Sequence, residues 1–323
     1  MINFRYHLVS LVAVFLALGI GVIMGTAVID SAVVDRLENQ QEGLERDISS
    51  VRDENGRLRD ELGALRDANE QLAQEGSQRL LDGALTGAPV LVVGVRGVHP
   101  EGFDDLTSII QTADADYQGT LWLTDRFVLD DEDERRDLAG LLGFSPEANA
   151  GSLRSAALTR LAGLLRQGLP AGPPAEGEDP TPDLVTNLRE AGFVDVEGLA
   201  DDATPVLAPG TRVVIVSGEG AEVPDSDLAL PLVRSLVRPR TTLSPVPVLA
   251  VDATRPTTAE GETWLRAIRD DEALSAAVAT VDNIDEFAGR LAAVLAVQDL
   301  GDERVGHYGR AEGAQRLLPA PVE

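Results

Sequence analysis

The sequence predicts a single N-terminal transmembrane helix, then a parallel dimeric coiled coil, then an α/β domain with a mainly parallel sheet. Three observations carry this. A 22-residue uncharged run lies near the N-terminus, twelve positions in alternating 3/4 spacing follow it, and short apolar runs alternate with amphipathic stretches from Pro89 onward. The implied boundaries are a cytoplasmic N-terminus (1–7), the span (8–29), the coiled coil (30–80), a linker (81–88), the α/β domain (89–300) and a C-terminal tail (301–323).

The uncharged run is Leu8–Ile29, LVSLVAVFLALGIGVIMGTAVI. As a helix it is about 33 Å long, which matches a hydrocarbon core of about 30 Å. Arg5 precedes it, and Asp30 and Asp35 follow. With the N-terminal amine, Arg5 favours a cytoplasmic N-terminus, leaving the rest of the chain outside. A cleaved signal peptide is the alternative, with Gly25 and Ala27 offering a small-x-small pattern. The run exceeds the usual apolar region of about 7–15 residues, however, and its charged n-region is meagre. Ala13, Ala17, Gly21 and Gly25 form a ladder of small residues, the kind that lets membrane helices approach closely.

The heptad positions are Val34, Leu37, Gln41, Leu44, Ile48, Val51, Asn55, Leu58, Leu62, Leu65, Asn69 and Leu72, alternating a and d without a stutter. All three polar residues among them fall at a, while every d is aliphatic. A polar residue at a lowers stability and specifies register, so the pattern favours an in-register parallel dimer. Asp47 with Arg52, Glu54 with Arg59 and Glu61 with Arg66 stand at g and the following e, where opposite charges bridge two parallel copies. A long amphipathic helix packed on its own domain is the alternative. Gly43, Gly56 and Gly63 soften the helix by up to about 1 kcal/mol each, so the stalk could yield to a partner helix. Gly76, Gly83 and Gly87 then break the pattern.

Beyond Pro89 the strand candidates are Val90–Val95, Thr120–Leu123, Val213–Val216, Val246–Val251 and Val278–Val281. Helices are expected near 104–113, 132–142, 153–167, 182–190, 226–237, 260–269 and 285–297, with 171–181 a Pro- and Gly-rich loop. The alternation points to a degenerate Rossmann- or flavodoxin-like domain, whose ligands would bind at the carboxyl ends of the strands.

Little there is catalytic. Gly94 and Gly97 are a fragment of a nucleotide loop without the GxGxxG fingerprint, and a chain lacking Lys has no Walker motif. Gly218 and Gly220 read as turn glycines, and Asp252 as a turn cap, with a carboxylate catalyst the alternative. The acidic run Asp130–Glu134 suits a helix N-terminus. Trp122 and Trp264 read as core anchors. His7, His99 and His307 assemble no Ser–His–Asp set. The chain has no Cys, which excludes disulfides, thiolate metal sites and cysteine nucleophiles. Its net charge of −27 argues against a nucleic-acid partner. The reading is therefore non-enzymatic, with no cofactor, catalytic or metal residue; a cryptic α/β enzyme or small-ligand binder is a further alternative.

The run His7–Gly25 (HLVSLVAVFLALGIGVIMG), the heptads after it, Val305–Arg310 (VGHYGR) and Leu318–Pro319 together resemble the actinobacterial MctB family. That resemblance implies copper efflux or homeostasis in an outer membrane. A related branch, SteB, implies instead a role in daughter-cell separation, with a membrane partner called SteA and regulation of a peptidoglycan endopeptidase. Copper(I) prefers sulfur and imidazole ligands, whereas this chain offers three scattered His, Met1 and Met24. An outer-membrane barrel needs many alternating strands, and a single apolar helix suits the plasma membrane instead. The SteB-like expectation is a dimeric scaffold; copper homeostasis is the alternative.

Overall fold

The computed structural model describes residues 4–167, 184–198, 210–237, 246–254 and 263–320, with the side chains of 26–39, 42 and 66–80 left aside. The expected loop at 171–181 lies outside the described residues. The chain divides into two compact units, Met1–Asn69 and Glu70–Glu323.

The first unit is helical throughout its described part. One unbroken helix, α1, runs from Phe4 to Leu81, so the apolar run and the heptads share a single helix and Gly76 does not interrupt it. A 22-residue stretch, Phe4–Gly25, is long and apolar enough to cross a membrane, and none of it is buried within the chain. The expected span at 8–29 overlaps this stretch. Its last four side chains lie outside the described ones.

The second unit is the α/β domain. In chain order it comprises β1 (Pro89–Val95), α2 (Pro100–Thr112), β2 (Asp116–Leu123), α3 (Glu132–Leu142), α4 (Ala150–Gln167), α5 (Leu184–Glu190) and β3 (Val194–Glu197). Then follow β4 (Arg212–Ser217), α6 (Ala229–Val237), β5 (Val248–Asp252), α7 (Arg266–Arg269), α8 (Glu272–Ser275), β6 (Val278–Val281), α9 (Phe287–Gly301) and β7 (His307–Tyr308). The sheet order is β3-β2-β1-β4-β5-β6-β7. All neighbouring pairs are parallel except β2 with β3. This is the doubly wound Rossmann order rather than the flavodoxin order.

Strand side chains alternate between two buried faces. Leu91, Val93, Val213, Ile215 and Val248 meet α4, α5 and α6 on one side. Val90, Val92, Val214, Val216 and Leu249 meet α2 and α9 on the other. Burial on both faces explains why the central strands read as continuous apolar runs. Each fully buried Val or Leu contributes about 1.5–3 kcal/mol.

Three elements differ from expectation, one of them the edge strand β3, which no strand candidate covered. The helix expected over 260–269 is described only as the short α7, followed by a second turn, α8, capped by the Asp271 carboxylate accepting from Ala273 N. His307–Tyr308, within the segment read as a tail, pairs with β6 as the seventh strand.

Candidate functional site

The two candidate sites are the crevice at the carboxyl ends of the strands and the outer face of α1. In a doubly wound sheet a ligand sits where strand order reverses, here between β1 and β4. The loops leaving these strands meet there. Glu222 N donates to Arg96 O at 2.8 Å. Gly97 (φ +91°) and Gly220 (φ +86°) lie so close that a Cβ on either would run into the other's carbonyl oxygen. Gly218 (φ +138°) is similarly pressed against the Asp252 carboxylate and Thr254. The three glycines thus bring loops together at the place where a nucleotide loop would hold phosphate open. Gly94 has another use: its missing Cβ leaves room for the Trp122 ring.

Along the same edge several polar groups are paired, whereas Asn283, just past β6, is buried with neither side-chain polar atom hydrogen-bonded. Asp252 is buried, and its Oδ1 accepts from Thr254 N at 2.9 Å, which makes it the expected turn cap. Ser217 donates to the Asp225 carboxylate. Burial pushes both Asp225 and Asp252 up from the ordinary carboxylate value, with their mutual repulsion adding to the rise for Asp225. Asp131 caps α3 by accepting from Asp133 N, which places the acidic run at a helix N-terminus.

The strongest polar assembly is one that sequence reading missed. The side chain of Arg269, on α7, is 2% exposed and donates to Asp282 Oδ2 at 2.9 Å. It also donates to Thr280 Oγ1, to Tyr308 O at 3.1 Å and to Glu312 O at 3.1 Å. Asp282 in turn accepts from the backbone N–H groups of Arg310 and Ala311. One buried ion pair therefore clasps the VGHYGR segment onto β6. Gly309 (φ +126°) is required there, since a Cβ would collide with the Asp282 carboxylate.

This clasp decides what His307 can do. Arg269 Nε donates to Thr280 Oγ1 at 2.9 Å, so the hydroxyl proton is free to reach His307 Nδ1 at 3.0 Å. His307 Nε2 lies 2.8 Å from Ser275 Oγ, so a hydroxyl of the fold stands at each ring nitrogen. Burial, and secondarily Arg269, hold the imidazole below its ordinary pKa. His99 is the residue before α2 and makes no side-chain cap. Trp122 is buried, with its Nε1 donating to Glu197 at 2.8 Å, and Trp264 packs against the core of the α4 face. Among the described residues no group of three or more His, Cys, Asp or Glu is placed to hold a metal ion.

The outer face of α1 is different in kind. Leu44, Ile48, Val51, Leu58, Leu62 and Leu65 are 45–63% exposed. The two described polar a residues make only local bonds, Gln41 to Glu45 at 3.4 Å and Asn55 to the Val51 carbonyl at 2.9 Å. Val34, Leu37, Asn69 and Leu72 lie on the same helix, their side chains outside the described ones. In the apolar stretch Ala13, Ala17 and Gly21 are exposed and Gly25 is partly so. A Cβ at Gly21 or Gly25 would have nothing within 4 Å.

Comparison with known proteins finds relatives that match along nearly the whole chain. The model of the family described as "Copper transport outer membrane protein, MctB" matches residues 1–319. A protein named copper transporter MctB from Mycobacterium tuberculosis (strain ATCC 25618 / H37Rv) is 27% identical over 329 residues, covering 98% of this chain and 99% of the relative. A protein of the same name from Mycobacterium leprae (strain TN) is 26% identical over 332 residues, covering 98% and 99%. With a match that runs from the apolar helix through the VGHYGR clasp, the chain belongs to the MctB family.

Proposed function

We propose that this protein is a non-enzymatic, single-pass envelope scaffold whose stalk forms a parallel homodimer outside the plasma membrane. The observation that carries the reading is the row of exposed leucines and other aliphatics from Leu44 to Leu65. An apolar stripe of this extent in water calls for a partner, and its spacing and flanking charges suit a second copy. Arg5 favours a cytoplasmic N-terminus and an extracytoplasmic α/β domain. The SteB-like resemblance supplies the expected assembly: a SteA-like membrane partner that engages the stalk and a peptidoglycan endopeptidase that the complex regulates. The loops pressed together at the strand ends leave no open nucleotide loop there, which supports the non-enzymatic reading.

The second reading is copper efflux or homeostasis, favoured by the names of the family and its mycobacterial relatives. Copper here would be cargo, and the donor set suits it poorly. His307 is engaged at both nitrogens, and copper(I) prefers sulfur and imidazole. A copper role is therefore expected to act through the assembly rather than through a site in this chain.

The experiment replaces Leu44, Ile48, Leu58 and Leu62 by Ser in the native host and images septation with and without added copper. Chained, unseparated cells at ordinary copper are expected. Normal division combined with copper-dependent death would overturn the scaffold reading in favour of the copper one.

A further inference from the structure

The small-residue ladder and the heptad stripe ask for different helix pairs. Residues four apart suit a right-handed crossing of about −40°, while a 3.5-residue repeat winds a left-handed seam at about +20°. Both features lie on one unbroken helix, α1. Extending the stalk's heptad frame toward the N-terminus puts Val9, Ala13, Leu16, Ile20, Ile23 and Ala27 at a and d. In that frame the ladder leaves the seam, since each four-residue step rotates it by about 50° at 3.5 residues per turn. Ala13 stands at a, Ala17 at e, Gly21 at b and Gly25 at f.

We infer that the stalk's dimer seam continues through the membrane along Leu16, Ile20 and Ile23, with a second copy of this chain as its occupant. The inference rests on the parallel-dimer reading above. The stalk sets the hand because its complementary charges (Asp47 with Arg52, Glu54 with Arg59) fix register over several heptads, and no break in the helix lets the crossing change sign. Gly21 and Gly25 then face away from the sister helix. Asp30, the one charged residue in the frame from Val9 to Leu72, falls at d where span and stalk join.

The natural absence of cysteine makes the test direct. Full-length protein in membranes would carry one cysteine at a time, Asn55→Cys in the stalk, Leu16→Cys, Ile20→Cys or Ile23→Cys on the seam, Gly21→Cys or Gly25→Cys on the ladder. Disulfide dimer would then be measured after mild oxidation. The expected result is efficient crosslinking at Asn55→Cys and at the seam positions, at least tenfold above the ladder positions. Crosslinking at Asn55→Cys with the ladder exceeding the seam, or with neither span set reacting, would overturn the continuous seam while leaving the stalk dimer standing. No crosslinking at any position, Asn55→Cys included, would overturn the dimer reading itself.

Discussion

The stalk and the α/β domain use the same aliphatic residues to opposite ends. In the domain, Leu91, Val93, Val213 and Ile215 are wholly buried by helices of the same chain, whereas Leu58 and Leu62 of the stalk are 45% and 55% exposed. The domain buries these side chains within itself, whereas those of the stalk stay exposed, and that exposure is the ground for proposing a partner. A hydrophobic pattern alone therefore does not say where burial will come from. Period 2 or a continuous run next to helices predicts burial within the chain, and an isolated 3.5-residue repeat predicts burial between chains.

The contrast can be broken most severely in the stalk. Replacing Leu44, Ile48, Leu58 and Leu62 together by Ser removes at least about 1.5 kcal/mol of burial per side chain. The dimer should be lost, while the urea midpoint of the α/β domain, followed by Trp fluorescence, stays at its wild-type value. A shift of that midpoint would mean that the stripe packs on its own domain.

Next in size is the clasp. Asp282→Ala leaves Arg269 buried without its carboxylate, and removing one partner of such a pair costs about 3–5 kcal/mol. The loss should appear in domain unfolding and leave stalk association unchanged.

A subtler change sharpens the stalk side. Asn55→Ile exchanges a polar a residue for an apolar one and should tighten association by about 1 kcal/mol or more. The same substitution should relax specificity, so sedimentation should show species beyond the dimer.

The smallest expected effect is the pH dependence of the domain. Burial and Arg269 depress the folded pKa of His307 below 6.5. Its contribution to stability is therefore full above that value and is lost as pH falls through 6.5 toward the depressed folded value. Asp225 and Asp252, raised by burial, act in the opposite sense, lending stability at low pH that is lost as pH rises through their folded values. Comparing wild type with His307→Gln isolates the histidine: the variant should lose less stability between neutral and mildly acid pH.

How much of this was legible depends on whether the signal was local. VLVVGV and VVIV announce central parallel strands because both their faces are buried, and Asp130–Glu134 announces a helix start. Strand β3 (Val194–Glu197) is a four-residue edge strand with Asp195 and Glu197 pointing to Arg96, so its pattern reads as polar loop. Strand β7 has two residues, and Arg269 and Asp282 help to hold its segment. Those partners meet across separate elements, which no spacing reveals. Gly218 and Gly220 read as turn glycines, and Gly97 as a fragment of a nucleotide loop. That Gly97 and Gly220 press against each other follows only from β1 and β4 being neighbours.

The central claim is that the exposed stripe of α1 is a self-interface, and the oligomeric mass of the full-length protein tests it most directly. Sedimentation equilibrium in density-matched detergent should give a dimer for the wild type and a monomer for the Leu44, Ile48, Leu58 and Leu62 variant. A wild-type monomer at micromolar concentration, indistinguishable from that variant, would contradict the account.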